Sequence, residues 1–212
     1  MSSYLVALPA LARGLGTTFA IAIASMVLAV GFGFVVGTLR SILPRALDLP
    51  LLGVIEFLRG IPLLVLMYFL FFGLPQLGVH TSNNVAAIAA LALYAGALGS
   101  EIVRGAIVSI PPGQTEAAAA LGLRRFAILR LVVIPQALRR MLPPFVALFA
   151  LIVESSSLAA LIDVTDLLQA ARQNVERDPG VALPVYLTVL IAYFAVNYPV
   201  SVASQRLEKQ LA

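Results

Sequence analysis

The 212-residue chain contains no cysteine, a single histidine and a single lysine, and each of these shortages excludes a kind of chemistry. Without cysteine, neither a disulfide nor a thiolate metal site can form. One histidine cannot make the H-E-x-x-H site of a zinc peptidase. A P-loop ends in a lysine followed by serine or threonine, whereas Lys209 is followed by Gln210. We therefore expect no metal, no bound cofactor and no enzyme activity in this chain.

Charged residues are also scarce. They form 11% of the chain, against 61% hydrophobic residues and a mean hydropathy of +1.01. In a soluble globular protein about a quarter of the residues are charged, so the composition predicts an integral membrane protein. The net charge of +4 has no solvated domain on which to cluster. We therefore expect the lipid bilayer, and not nucleic acid, as a partner.

Long apolar runs take up most of the sequence. A helix that crosses a bilayer core of about 30 Å needs about 20 apolar residues, because each residue advances it by about 1.5 Å. Five runs come near this length, at about residues 16–39, 51–76, 85–103, 141–158 and 181–204. We predict an all-α integral membrane fold with five transmembrane helices, forming a single transmembrane domain over residues 1–212.

Charged side chains interrupt two of these runs. Glu56 and Arg59 are three residues apart on one helix face, and we expect them either to pair or to extend towards the membrane interface. If the fourth span begins at Pro143, Glu154 lies about 16 Å into it, near the middle of the bilayer. An ionisable group at that depth is a candidate functional residue. The alternative is a structural acid that pairs with an arginine of a neighbouring subunit.

Polar neighbours extend this candidate site. Ser155 and Ser156 follow Glu154 directly and supply hydroxyl groups. Tyr94, in the third run, is expected to face the helix bundle. We predict a binding site formed by Glu154, Ser155, Ser156 and Tyr94, which favours a ligand with a positive group because a carboxylate binds such a group by charge-assisted hydrogen bonds.

A loop at about residues 111–135 has the pattern of a short helix. Pro111 and Pro112 end the preceding helix, and Thr115 is the expected N-cap of the next. Glu116 complements the helix dipole, and Gly122 is expected to end the helix in the left-handed conformation. A helix of about two turns is marginal on its own. We expect it to pack against a partner protein, or else to be an amphipathic connector.

The same loop carries a family resemblance. Glu116-Ala117-Ala118, three residues, Gly122, nine residues and then Val132-x-Ile134-Pro135 is similar to the cytoplasmic loop signature of ABC-importer permeases. Valine replaces isoleucine and isoleucine replaces leucine in that signature, and both changes keep an apolar branched side chain. Residues 56–64, 101–105, 113–114 and 155–158 resemble the polar amino acid branch of the family. The resemblance covers nearly the whole chain.

The resemblance implies a permease subunit with the type I ABC importer fold, in which the loop forms a cytoplasmic coupling helix. It implies a pair of ATP-binding cassette ATPase subunits that hold ATP and magnesium and contact Glu116, Ala117, Ala118, Gly122, Arg124 and Pro135. A second permease chain, identical or not, and an extracytoplasmic solute-binding protein complete the implied assembly. Its function would be ATP-driven uptake of a polar amino acid or a close relative such as an opine. The alternative is a passive channel or a scaffolding membrane protein whose loop binds a partner other than an ATPase.

The basic residues predict the orientation. With the N-terminus outside, 11 of the 14 lysines and arginines lie on the cytoplasmic side, together with residues 111–135. The positive-inside rule therefore favours an outside N-terminus and a cytoplasmic C-terminus in the inner membrane of a bacterial cell. Residues at about 163–178 would then form an extracytoplasmic amphipathic helix, with Leu167, Leu168 and Ala171 on its buried face.

Overall fold

The computed structural model describes the backbone of residues 2–211 and the side chains of residues 4–211. Within these residues the chain is almost entirely helical and contains no strand, so the predicted all-α class is confirmed. The α-helices are α1 (Ser2–Ile42), α2 (Arg45–Gly60), α3 (Leu63–Tyr68), α4 (Asn83–Val108), α5 (Pro112–Ala120), α6 (Arg125–Ile128), α7 (Ile134–Ser156), α8 (Leu167–Arg177) and α9 (Ala182–Leu211). Short π-helical and 3-10 segments occupy Phe69–Gly73, Leu74–Leu77, Leu129–Val133, Ser157–Ile162 and Pro179–Val181.

Up to five parts of the described chain are long and apolar enough to cross a membrane. Four are continuous helical stretches, namely Tyr4–Ile42, Asn83–Val108, Arg125–Ile162 and Pro179–Leu211. The fifth is the pair Arg45–Gly60 and Leu63–Leu77, which is bent by 99°. The bend falls at Ile61, which is extended (φ −84°, ψ 132°) because the residue before a proline is disfavoured in the helical conformation. The predicted span at residues 51–76 is therefore two helices at nearly a right angle.

The first and last helices extend beyond their predicted spans. α1 begins at Ser2 rather than near residue 16, and α9 ends at Leu211 rather than near residue 204. The early residues of α1 are helical because they pack against α8 and α9, where Ala7 and Leu11 are buried with Leu167 and Val185. The apolar runs at residues 16–39 and 181–204 therefore predicted the apolar central part of α1 and α9 but not where these helices begin and end.

The helix that forms the fourth crossing begins before Pro143. α7 starts at Ile134 and continues through both Pro143 and Pro144. A proline inside a helix removes one N–H and loosens the turn before it, and here α9 packs against that turn, with the Ser204 hydroxyl donating to the Pro143 carbonyl oxygen at 2.8 Å. Glu154 lies about 30 Å along α7 from the start of the helix at Ile134, and its depth of about 16 Å in the membrane, counted from Pro143, stays a prediction.

The helices α1 and α4 form the centre of the bundle and pack very closely. A Cβ atom on Gly33 would lie 2.8 Å from the carbonyl carbon of Gly99, and one on Gly37 would overlap the carbonyl oxygen of Ser100. α7 and α9 pack together on one side of this pair, and α2 and α3 lie against α4 on the other. α8 fills the space between α1 and α9, while α5 and α6 lie beyond the end of α4.

Candidate functional site

The helix α5 joins two crossings and lies outside every candidate span. It begins directly after Pro111, so the predicted N-cap at Thr115 is wrong: the Thr115 hydroxyl lies inside the first turn and donates to the Pro112 carbonyl oxygen at 2.7 Å. Proline suits this first turn because the N–H that it lacks has no partner there. The helix ends as predicted, since Gly122 is left-handed (φ +81°) and its N–H donates to the Ala119 carbonyl oxygen at 2.9 Å.

Almost all of α5 is exposed. Ala118 is its one buried residue, in a small core with Ile128 and Val133. Just beyond the helix, Leu121 is 83% exposed and Phe126 is 72% exposed. A nine-residue helix held by one alanine gains little from its own hydrogen bonds. Leu121 lies outside the candidate spans, so lipid does not account for its exposure, whereas Phe126 belongs to the span Arg125–Ile162. The segment therefore has the form of a docking surface, which we call the docking segment (residues 111–135).

The residues predicted to contact a partner lie on this docking segment. Glu116 and Ala117 are exposed on α5, Arg124 is the exposed residue that precedes α6, and Pro135 is exposed at the start of α7. The two ends of the segment are joined by a hydrogen bond of 3.3 Å between the side-chain amides of Gln136 and Gln114. Residues from the beginning and the end of the predicted motif, such as Glu116 and Pro135, therefore lie on the same docking segment surface.

The four residues predicted to bind a ligand do not come together. Ser156 is fully buried and its hydroxyl donates to the Val153 carbonyl oxygen at 2.7 Å. Tyr94 packs at the edge of a different apolar cluster, which includes Leu91 and the half-buried Leu158. Ser155 is half-buried, and Glu154 is exposed on the surface of α7. Of the four, Glu154 lines a cavity.

Glu154 faces a polar groove between α7 and α9. A cavity of about 330 Å³ is lined by Glu154, Ser201, Ser204 and Gln205, together with Ala147, Ala150 and Leu151. A second cavity of about 650 Å³ shares Ala147 and Ser204 with it and continues to Arg140 and Glu208. This α7–α9 groove was not predicted. Its signal in the sequence is the serine and glutamine repeat at positions 201, 204 and 205, three and four residues apart on one helix face.

Sequence reasoning also missed a cluster of charges at the end of α1. The Arg40 side chain is 2% exposed, donates from Nε to Asp48 Oδ1 at 2.8 Å and donates from Nη1 to Glu101 Oε1. Arg104 Nη2 lies 3.0 Å from Glu101 Oε2. Of the two alternatives left open for Glu56 and Arg59, the structure shows pairing: Arg59 Nη1 lies 2.6 Å from Glu56 Oε1, and both side chains are exposed.

A second missed group is the carboxylate of Asp166, which is completely buried at the start of α8. Its Oδ1 accepts the Gln169 N–H at 2.8 Å, and the Tyr193 hydroxyl lies 3.5 Å from its Oδ2. Burial raises the pKa of Asp166 to about 6, although the backbone N–H groups of Gln169 and Leu168 oppose the shift. α8 itself is the predicted amphipathic helix, with Leu167 and Ala171 buried and Leu168 half-buried.

The candidate membrane crossings, a short exposed helix between two of them and a groove along the flank of the bundle define a multi-pass membrane protein. Residues 29–212 match the family of binding-protein-dependent transport system inner membrane components. The chain belongs to this family and is a transmembrane permease subunit of an ABC importer. The resemblance drawn from the loop motif is thereby confirmed.

Relatives and solved structures agree with this assignment. The chain is 38% identical over 197 residues to the probable glutamine ABC transporter permease protein GlnP of Bacillus subtilis (strain 168), covering 92% of this chain and 90% of the relative. It is 30% identical over 207 residues to the glutamine transport system permease protein GlnP of Escherichia coli (strain K12), covering 97% and 94%. Its fold matches that in a crystal structure of an amino acid ABC transporter with histidines, with a TM-score of 0.89, 27% identity and coverage of 98% and 97%. The inward-facing MetNI methionine ABC transporter, with a TM-score of 0.79 and 22% identity over 96% of each chain, shares the fold.

Proposed function

We propose that the chain carries a polar amino acid, or a close relative such as an opine, into a bacterial cell. The observation that carries the proposal is the exposed helix α5, which presents Glu116, Ala117 and Gly122 outward between two membrane crossings. A helix in that position moves the crossings on either side of it when a partner moves the helix. In this proposal the chain forms the pathway for the amino acid through the membrane, and its partner supplies the energy for transport.

Relatives support the substrate class. Two permeases named for glutamine match this chain over more than nine-tenths of its length. An L-cystine transport system permease protein, TcyB, of Bacillus subtilis (strain 168) is 29% identical over 96% of the chain. The named substrates differ in side chain and share an α-ammonium and an α-carboxylate, so we expect recognition of those two groups within the membrane.

The partner on the docking segment is a pair of ATP-binding cassette ATPase subunits, which bind ATP and magnesium. The exposed Leu121 and Phe126 provide apolar anchors, and Arg124 beside them provides positive charge at the edge. An apolar centre with a polar edge is the usual make-up of a specific protein interface. Residues 111–135 therefore lie in the cytoplasm, which requires an outside N-terminus and a cytoplasmic C-terminus, in agreement with the positive-inside rule.

A second permease chain closes the α7–α9 groove. Glu154 belongs to a stretch that crosses the membrane, and it is exposed on the surface of this single chain. A carboxylate in that position is unfavourable against lipid and must face water, a ligand or another protein. We assign Glu154 as the contact for the substrate ammonium, with Ser155 beside it. Ser156 is buried and Tyr94 packs against another apolar cluster, so neither is part of this contact.

The solute-binding protein delivers the substrate on the opposite side of the membrane from the docking segment. Residues 163–178 are at that end, because α1 begins beside α8 and ends beside Glu101 of α4. The exposed residues of α8, among them Glu176 and Arg177, face away from the bundle. They form the surface on which the binding protein lands.

Reconstitution tests the whole proposal. The chain is expected to co-purify with its ATPase subunits and, in liposomes with the solute-binding protein, to take up radiolabelled polar amino acids only when ATP is present. Uptake that runs down a gradient without ATP, or a chain that never retains an ATPase subunit, would instead support a passive channel or a scaffold. A ligand-binding screen of the solute-binding protein then identifies the amino acid.

A further inference from the structure

Arg40 joins three helices at one point. It lies in the last turn of α1, where its side chain bonds Asp48 of α2 and Glu101 of α4. Arg104 neutralises the second carboxylate oxygen of Glu101. The group contains two cations and two carboxylates, so its net charge is zero. Arg40 is the most buried of the four, with 2% of its side chain exposed.

This charge group stands beside the docking segment. Glu101 is seven residues before the end of α4 at Val108, or about 10 Å along the helix axis, and α4 leads through residues 109–111 directly into α5. On the other side of α5, Arg140 of α7 donates to the carbonyl oxygen of Ser109 at 2.6 Å and to its hydroxyl at 2.8 Å. α7, which follows the docking segment, is thus bonded to the end of α4, which precedes it.

The helices α1 and α4 behave as one body, whereas α2 is attached weakly. The contacts of Gly33 and Gly37 leave no space between the α1 and α4 backbones. In contrast, no side chain of residues 45–54 in α2 is buried, and the buried residues of α2 are Ile55 and Leu58, near the bend that leads to α3. The first half of α2 is therefore held to the α1–α4 body by the two-residue link at 43–44 and by the ion pair of Asp48 with Arg40.

An ion group of this kind is suited to fixing geometry. Taking charges out of water offsets most of the attraction between them, so a buried ion pair adds little net stability compared with apolar packing. Its hydrogen bonds are directional, and the planar guanidinium of arginine can bond two carboxylates at once, which a lysine ammonium cannot do with the same fixed geometry. Arg40 thus sets where α2 begins relative to α4.

We propose that Arg40 is a positioning residue for coupling: it passes the displacement of the docking segment from α4, through Asp48, to α2 and the bend at Ile61. This inference rests on the proposed function, since it assumes that an ATPase moves α5. It assigns the path by which that movement reaches α2.

The test measures amino acid uptake per ATP hydrolysed, for each assembled complex, in liposomes containing the permease, its ATPase subunits and its solute-binding protein, with radiolabelled polar amino acids as the probe. Asp48→Asn keeps the shape of the side chain and leaves Arg40 bonded to Glu101, and it is expected to lower the ratio about threefold. Arg40→Gln is expected to lower it at least as far. The double variant should not fall below Arg40→Gln, because both changes break one link. Arg45→Gln, an exposed arginine at the start of α2, is the matched control and should leave the ratio unchanged.

Co-purification and thermal stability distinguish coupling from folding. If Arg40 and Asp48 only stabilise the chain, the amount of assembled complex falls while the ratio for each complex stays at the wild-type value, and the inference is overturned. Should Arg40→Gln fail to assemble, Asp48→Asn decides alone. A wild-type complex that shows no ATP-dependent uptake would contradict the proposed function itself, whereas normal wild-type coupling with unchanged variants contradicts only the role of Arg40.

Discussion

Gly37 of α1 lies directly against Ser100 of α4, and a Cβ atom on the glycine would overlap the serine carbonyl oxygen. One helical turn earlier, Gly33 makes the equivalent contact with Gly99. Between membrane-embedded helices, close backbone approach provides the packing that holds them together, because lipid is as apolar as the helices themselves. The α1–α4 pair is therefore the rigid centre on which the remaining crossings are arranged.

Gly37→Ala is expected to destabilise the chain by about 1–3 kcal/mol, because the added methyl group must push two backbones apart. The measurement is thermal unfolding of the purified protein in detergent. Gly31→Ala is the control, since a Cβ atom at Gly31 meets no other atom within 4 Å. Equal melting temperatures for the two variants would show that the α1–α4 contact is less close than the structure indicates.

Replacing Asp166 should change how stability depends on pH. Its pKa is raised from 3.8 to about 6 in the folded chain, so the folded state binds the proton more tightly than the unfolded state. Its contribution to stability is therefore complete below about pH 4 and is lost as the pH rises through about 6, on the order of 3 kcal/mol. Asp166→Asn, which still offers a capping oxygen to Gln169, is expected to flatten this dependence.

The comparison is made by thermal unfolding between about pH 4 and about pH 7. Glu176→Gln, which changes an exposed carboxylate on the same helix, should retain the wild-type pH profile. If Asp166→Asn also retains the wild-type profile, the buried carboxylate is not the group that titrates.

The double variant Glu116→Lys with Gly122→Asp should uncouple ATP hydrolysis from uptake. The first change reverses a charge on the exposed face of α5, and the second places a side chain at a left-handed residue that closes the helix (φ +81°), a conformation that costs about 1 kcal/mol or more for a residue with a Cβ atom. ATPase activity and amino acid uptake are measured in the same liposomes. Arg13→Glu reverses an exposed charge at the other end of the bundle and should leave coupling intact. Normal coupling in the double variant would argue strongly against the docking role of α5.

Glu154→Gln is expected to lower uptake about tenfold or more while leaving assembly with the ATPase unchanged. The change removes the negative charge that attracts the substrate ammonium, and a tenfold loss corresponds to about 1.4 kcal/mol of binding free energy. Assembly is followed by co-purification, and uptake is measured for each polar amino acid in turn. Arg45→Gln, at the exposed arginine that begins α2, serves as the control. Unchanged uptake of every amino acid tested would remove Glu154 from the pathway.

Local patterns were sufficient for the class of protein and for the presence of the short helix α5. Membrane insertion depends on the summed apolar character of about 20 consecutive residues, so composition and run length identified the four continuous crossings and the apolar run that the structure bends at Ile61. The end of α5 could also be predicted from the sequence, because a left-handed glycine ends a helix through hydrogen bonds to residues within one turn, as Gly122 does to Ala119. Helix ends were predicted poorly where neighbours decide them: α1 is helical before residue 16 because α8 and α9 cover it, and α7 passes through Pro143 against α9.

Contacts between distant parts of the chain were decided by packing alone. Arg40 and Glu101 are 61 positions apart, and Thr18 accepts the N–H of Leu167 across 149 positions. No periodicity in either segment records these pairings, because each depends on how closely α1 can approach α4 and α8. The same packing separated Tyr94 from Glu154 and opened the α7–α9 groove beside the latter. The sequence alone determines which segments are apolar helices, whereas the pairing of charged side chains from different helices is determined only by how those helices pack.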